Sequence, residues 1–314
     1  MAVDGEARFR VAFLCVAPTG AGHLSRAGAV RRALARAGAP VELRAFGPPL
    51  PPALAQPWWI GTPILPSDVR PPERLARSEL GRAVSAWEPD LVIVDVYWMA
   101  VQALVRSLQL PAWLLLRRVP PGWLRGTPAV PFADDAWERV ITIEPDACPG
   151  GYDAIDPVVL VNPDECLTAP EVHAALQVPA GHRLELVTHA GIPGELAQLL
   201  SRPTPDGPNL WHREILGVHD GVLPQRQTAG AWRATWPAAQ LYPAADRIVC
   251  GAGYNTFWET RWLGCTERTT VHPFPRSTDD QAWRLQRCHG HVPTNNGADT
   301  LAQLLVARLS RAAR

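Results

Sequence analysis

Three clusters of residues in this chain could do chemistry. Gly20-Ala21-Gly22-His23 is a glycine-rich turn that ends in a histidine. An imidazole with an ordinary pKa of ~6.5 can take a proton from a hydroxyl near neutral pH. On position alone His23 reads equally as a base or as a ring that packs the loop. Asp95 ends the apolar run of Pro89-Asp90-Leu91-Val92-Ile93-Val94-Asp95, so it should sit at a strand's C-terminal edge and face the same crevice as the first loop. The third cluster is the stretch 244–264, AADRIVCGAGYNTFWETRWLG. A short apolar strand, a glycine turn and a helix start expose N–H groups and a positive dipole end, which suits a phosphate. Asn255 and Thr256 are placed to cap that helix, and Glu259 to accept hydrogen bonds from ribose hydroxyls. By itself the stretch reads equally as an ordinary strand-to-helix turn with a surface glutamate.

The elements that must hold these residues alternate in type. Phe9–Val16 predicts a buried strand, Leu24–Ala37 a helix stopped by Gly38, and Val41–Phe46 the next strand, a βαβ unit that implies a parallel sheet. Gly47–Pro72 is proline-crowded, and its Trp58-Trp59 pair either meets an acceptor or packs on the sheet. A helix to about Trp87, the strand ending at Asp95, a helix over 98–108 and strands at 112–116 and 139–143 continue the pattern. The loop 117–135 is a second candidate acceptor contact. Between Cys148 and Gly181 the pattern weakens, which places the linker there and divides the chain into 1–160 and 161–314. A second domain then begins with a strand at Arg183–His189 and a loop containing Gly191. Strands are expected at Asn209–Gly221 and Leu223–Gln225, and a last helix over 298–311 should pack back toward the first domain.

Composition narrows the class. A length of 314 residues suits two domains, and a formal net charge of zero gives no electrostatic footprint for nucleic acid. All thirty basic residues are arginine, so a Schiff-base lysine and a Walker-type lysine are excluded. The six cysteines form no C-x-x-C pair, which indicates neither a zinc site nor a disulfide framework. With no secretion signal and no membrane-length apolar run, a cytoplasmic location is expected.

The block from Ala244 to Gly264, with Asp280-Gln281 downstream, resembles the donor-binding half of GT-B glycosyltransferases. It is similar in particular to the bacterial N-acetylglucosaminyltransferases that make lipid II and to UDP-glycosyltransferases. The resemblance implies an α/β fold of two Rossmann-like domains with parallel sheets around an interdomain cleft. It implies that Gly253, Tyr254, Asn255, Thr256 and Glu259 bind a nucleotide diphosphate and its ribose, and that Asp280 and Gln281 hold sugar hydroxyls. Gly20, Gly22 and Gly191 would line the ligand loops. His23 would be the base and Asp95 the acid that orients it and stabilises its charged form. The expected reaction is inverting transfer from a UDP-sugar to a small-molecule or lipid-linked acceptor. No metal or resident cofactor is expected, because helix dipole and backbone N–H groups can stabilise the leaving diphosphate. Peripheral membrane contact through the apolar loops is a further expectation. Gly20–Arg26 also resembles the G-x-G-H-x-x-R turn of nucleotide-sugar hydrolases, in which the histidine activates water. A non-catalytic nucleotide-sugar-binding partner is the remaining alternative.

Overall fold

The computed structural model describes residues 9–16, 22–64, 72–120, 122–128, 130–147, 151–189, 193–204, 210–217, 231–276 and 278–312. The chain divides into two compact units, the first formed by 1–50, 55–156 and 297–314 and the second by 51–54 and 157–296.

The first unit runs β1 (Phe9–Leu14), α1 (Gly22–Arg36), β2 (Val41–Gly47), β3 (Trp59–Gly61), α2 (Glu79–Trp87), β4 (Leu91–Asp95), α3 (Trp98–Leu108) and β5 (Ala112–Leu116). A small hairpin follows, β6 (Gly126–Thr127) and β7 (Val130–Pro131), then β8 (Arg139–Thr142) and β9 (Asp153–Ala154). Its sheet has the order β3-β2-β1-β4-β5-β8-β9 and every pair in it is parallel. β9 thus extends the sheet beyond Arg139–Ile143, where the sequence closed it. The run of Leu91 to Val94 is fully buried, as expected of a parallel strand covered on both faces. The order reverses between β1 and β4, and a doubly wound sheet binds its ligand outside the strand ends at such a reversal.

One local expectation changes, and one open alternative is decided. The helix expected from Pro72 to Trp87 is split: residues 72–77 form a 3₁₀ turn, and Ser78 accepts the N–H of Gly81 at 3.2 Å to cap α2. A serine hydroxyl competes with the helix ladder for backbone donors, which is why it starts a helix better than it continues one. The tryptophans of the irregular loops turn inward. Trp58 and Trp59 are buried, and Trp123 packs edge-on against buried Trp98 at 5.9 Å. Trp58 and Trp59 therefore serve the core, the packing role the sequence offered as the alternative to acceptor contact.

The second unit contains α4 (Ala169–Leu176), β10 (His182–Thr188), α5 (Pro193–Leu200), β11 (Leu210–Gly217), β12 (Ala231–Ala234), β13 (Arg247–Gly251), α6 (Tyr254–Trp262), β14 (Thr269–His272) and α7 (Gln281–Arg287). Its strands lie in the order β12-β11-β10-β13-β14, again all parallel. The expected strand at Leu223–Gln225 lies outside the described residues. The boundary falls at 156/157, because Val158–Val161 is a buried apolar run tied into this unit. Val158 donates its N–H to the Tyr254 hydroxyl at 2.8 Å, and Asn296 bonds both backbone groups of Val159.

The C-terminal helix α8 (Gly297–Ala312) belongs to the first unit, which corrects the division at 161–314. Arg36 of α1 bonds Asp299 at 2.6 Å, and Arg308 makes two 2.9 Å bonds to Glu138. Among the described residues no helix is long and apolar enough to cross a membrane.

Candidate active site

Because β1 and β4 are neighbours, with Leu14 opposite Val94, the residues that follow β1 meet the residue that ends β4. His23 is the second residue of α1, so the helix begins at Gly22 and not at Leu24 as read from sequence. Its Nδ1 lies 2.5 Å from Oδ2 of Asp95, and Asp95 is fully buried. Arg26, one turn along the same helix face, directs Nε at both oxygens of Asp95, at 2.9 and 3.0 Å. Its Nη2 stands 3.2 Å from His23 Nδ1. Gly22 opens α1 beside this group, and Gly20 lies outside the described residues.

Burial pushes the Asp95 pKa up, but the charges of Arg26 and His23 and their hydrogen bonds outweigh it and hold the carboxyl well below its usual range. Burial is also the largest influence on His23 and lowers its pKa below 6.5. Asp95 works against that, while Arg26 and Arg117 reinforce it. The pair at rest is therefore a neutral imidazole on an ionised carboxylate. An unprotonated Nδ1 would face the carboxylate lone pair to lone pair at 2.5 Å, so Nδ1 carries the hydrogen and Nε2 keeps the free lone pair. That is the tautomer a general base needs.

Cys15, His23 and Asp95 bring one potential ligand atom each to within 4.8 Å of one another. The trio does not suit a metal ion. Burial pushes the Cys15 thiol well above its ordinary 9.0. The Arg26 guanidinium already fills the cation position on Asp95.

In the second unit the sheet order reverses between β10 and β13, and α6 begins at the end of β13. Its N-cap is Gly253, with no side-chain capping bond, so Asn255 and Thr256 fall inside the first turn and do not cap it. A Cβ on Gly253 would meet nothing within 4 Å, which leaves space at the helix start. Thr256 hydrogen-bonds Tyr242. Tyr254 is buried with its hydroxyl committed to Val158, so it anchors the loop from inside. Glu259 is only 5% exposed. Its carboxyl has no hydrogen-bond or ion-pair partner among the described residues, and burial raises its pKa to about 7. Gln281 accepts from Phe274 N–H and donates to Asp279, while Asp280 caps α7 through Trp283 N–H. Both therefore hold the loop after β14 in shape. Gly191 lies outside the described residues.

Sequence reasoning gave two groups no role. Fully buried Arg284 bonds Ala252 carbonyl at 2.8 Å and Asp279 at 2.7 Å, fixing the backbone just ahead of α6. His189, at the end of β10, bonds Glu195 at 2.9 Å, and Glu195 also pairs with Arg276. An arginine in an arginine-rich chain gives no local signal of this kind. Only the histidine at a strand end could have been flagged.

No protein-family model matches the chain, and no curated protein matches it. Solved structures do match. The spinosyn rhamnosyltransferase SpnG complexed with thymidine diphosphate is 19% identical, with a TM-score of 0.57 over 95% of this chain and 91% of that one. The spinosyn forosaminyltransferase SpnP has a TM-score of 0.58 at 14% identity, over 98% and 96% of the two chains. MurG of Acinetobacter baumannii has a TM-score of 0.50 at 14% identity, over 96% and 91%. At these identities the likeness is one of fold, and what this chain shares with all three is the GT-B fold of glycosyltransferases.

Proposed function

We propose that this chain is an inverting glycosyltransferase that moves a sugar from a nucleoside-diphosphate donor to an acceptor hydroxyl. The observation that carries the reading is the neutral His23 held through Nδ1 by ionised Asp95 at the switch point of the first sheet. In the reaction Nε2 of His23 takes the acceptor's proton, the acceptor oxygen bonds the anomeric carbon, and the bond from that carbon to the diphosphate breaks. Asp95 stabilises the imidazolium that forms. The diphosphate binds at the N-terminus of α6, where backbone N–H groups and the helix dipole favour its charge. Glu259 takes ribose hydroxyls, which explains a buried carboxyl without a protein partner.

No metal takes part in this reading, because the N-terminus of α6 offers backbone N–H groups and a helix dipole to the leaving diphosphate. A UDP-sugar donor follows the sequence resemblance. The thymidine diphosphate bound in one relative by fold makes TDP-sugars the other donor to try. The acceptor is a small-molecule hydroxyl compound.

A second reading is hydrolysis of the nucleotide sugar, favoured by Arg26, which completes the G-x-G-H-x-x-R turn and joins the dyad directly. Incubation with a panel of UDP- and TDP-sugars, with and without alcohol acceptors, separates the two. Slow donor breakdown that accelerates with acceptor, giving an inverted glycoside, is expected. Rapid release of free sugar without acceptor would favour hydrolysis, and an inert protein that still binds nucleotides would leave only a binding role.

A further inference from the structure

The dyad has a third member whose position is not needed to orient the histidine. Arg26 is 3% exposed, binds both oxygens of Asp95 through Nε, and brings Nη2 to 3.2 Å from Nδ1 of His23. Since Nδ1 carries a hydrogen toward Asp95, that last contact sets two N–H groups side by side and is not itself a hydrogen bond. We propose that Arg26 is a positioning residue that keeps His23 unprotonated, by matching the charge of Asp95 and by standing as a fixed cation against the imidazole ring. The proposal rests on the reading of His23 as the base.

A buried histidine 2.5 Å from a lone carboxylate would be drawn toward the charged form, since an opposite charge at that range favours ionisation. Arg26 opposes that pull, in the same direction as burial. Arg26 and Asp95 already sum to zero charge, so protonating His23 would leave a net positive group in a site shielded from water, where unlike water the surroundings screen charge poorly. The groups that face the ring from the surrounding elements agree. Cys15, beyond β1, stays a neutral thiol, Asp95 comes from β4, Arg26 from α1, and Arg117, just beyond β5, adds a second repulsive charge. A base poised in this way is unprotonated before reaction and sheds the acceptor's proton readily afterwards.

The test is a histidine titration by NMR on the full chain labelled with ¹³C-histidine, with the His23 signal assigned by its loss in His23→Ala. In the wild type, His23 should titrate below its ordinary value despite the adjoining acid. In Arg26→Gln its pKa should rise by about one unit, a tenfold change in proton affinity, and in Arg26→Lys it should stay near the wild-type value. Circular dichroism and a thermal melt check that each variant stays folded. A wild-type His23 that titrates well above 6.5, or an Arg26→Gln titration that matches the wild type, overturns the proposal. The wild-type curve is enough to overturn it even if Arg26→Gln does not fold. The reading of His23 as base fails separately, if His23→Ala turns over donor at the normal rate while the Arg26 variants still move the titration.

Discussion

Nδ1 of His23 and Oδ2 of Asp95 stand 2.5 Å apart across 72 residues of sequence. The contact exists because β1 pairs with β4, and not with the strands nearer to it along the chain on that side. A strand order that put β4 elsewhere would leave the same two residues in separate places.

If the two act as a unit, removing either should cost most of what removing both costs. His23→Ala is expected to lower turnover by about 10²–10⁴-fold, with UDP affinity unchanged in calorimetry. Asp95→Asn should lower it as well, and the double variant should be scarcely worse than His23→Ala alone. Multiplied losses in the double variant would mean that the residues work independently.

The pH dependence has a definite sign. His23 lies below 6.5 in the folded chain, so kcat should rise with pH through the region below 6.5 and be level by neutrality. Stability should follow the same direction. Asp95 has a depressed pKa, so its contribution is complete above the unfolded aspartate range and is lost as pH falls through it. Burying His23 in its neutral form adds a further loss as pH drops below 6.5. A rate that still climbs above pH ~7.5 would contradict the assignment of the base.

Glu259 predicts the opposite sense for stability. A carboxyl whose folded pKa is about 7 favours folding while it is protonated. That advantage is complete below the ordinary glutamate range and fades as pH rises through about 7, where the ionised form costs on the order of 3 kcal/mol. Glu259→Gln should therefore raise Tm more at alkaline than at acidic pH. Ribose hydroxyls that donate to the carboxylate favour its ionised form, so UDP should bind about tenfold more tightly at pH ~8 than at pH ~6. Glu259→Ala should weaken binding by about 1.5–3 kcal/mol and abolish that pH dependence. Calorimetry across the two pH values decides it, and a flat profile in the wild type would remove Glu259 from the donor site.

Gly126 tests the packing behind α3. Its φ is +75°, and a Cβ there would run into the Val130 carbonyl and come within 2.7 Å of the Trp98 ring. Backbone strain and overpacking together should make Gly126→Ala about 2–4 kcal/mol less stable, read as a lower denaturant midpoint. Wild-type stability would mean that the hairpin can move away from Trp98 without cost.

The amino-acid sequence by itself determined the alternation of strands and helices, because apolar runs such as Leu91–Val94 and turn glycines such as Gly38 and Gly264 act locally. It also marked His23, Asp95 and Glu259, since residues at strand ends and helix starts carry the mark of their position. Only the tertiary structure decided how these residues behave. Strand order put Asp95 beside His23, and a helix turn swung Arg26 onto both. Burial, a property of the surroundings rather than of the residue, gave Glu259 a pKa near 7 and turned Tyr254 inward. The last helix was expected to pack back toward the first domain, and α8 does belong to that unit. Its partners Arg36 and Glu138 lie far away in the chain, so only the tertiary structure identifies them.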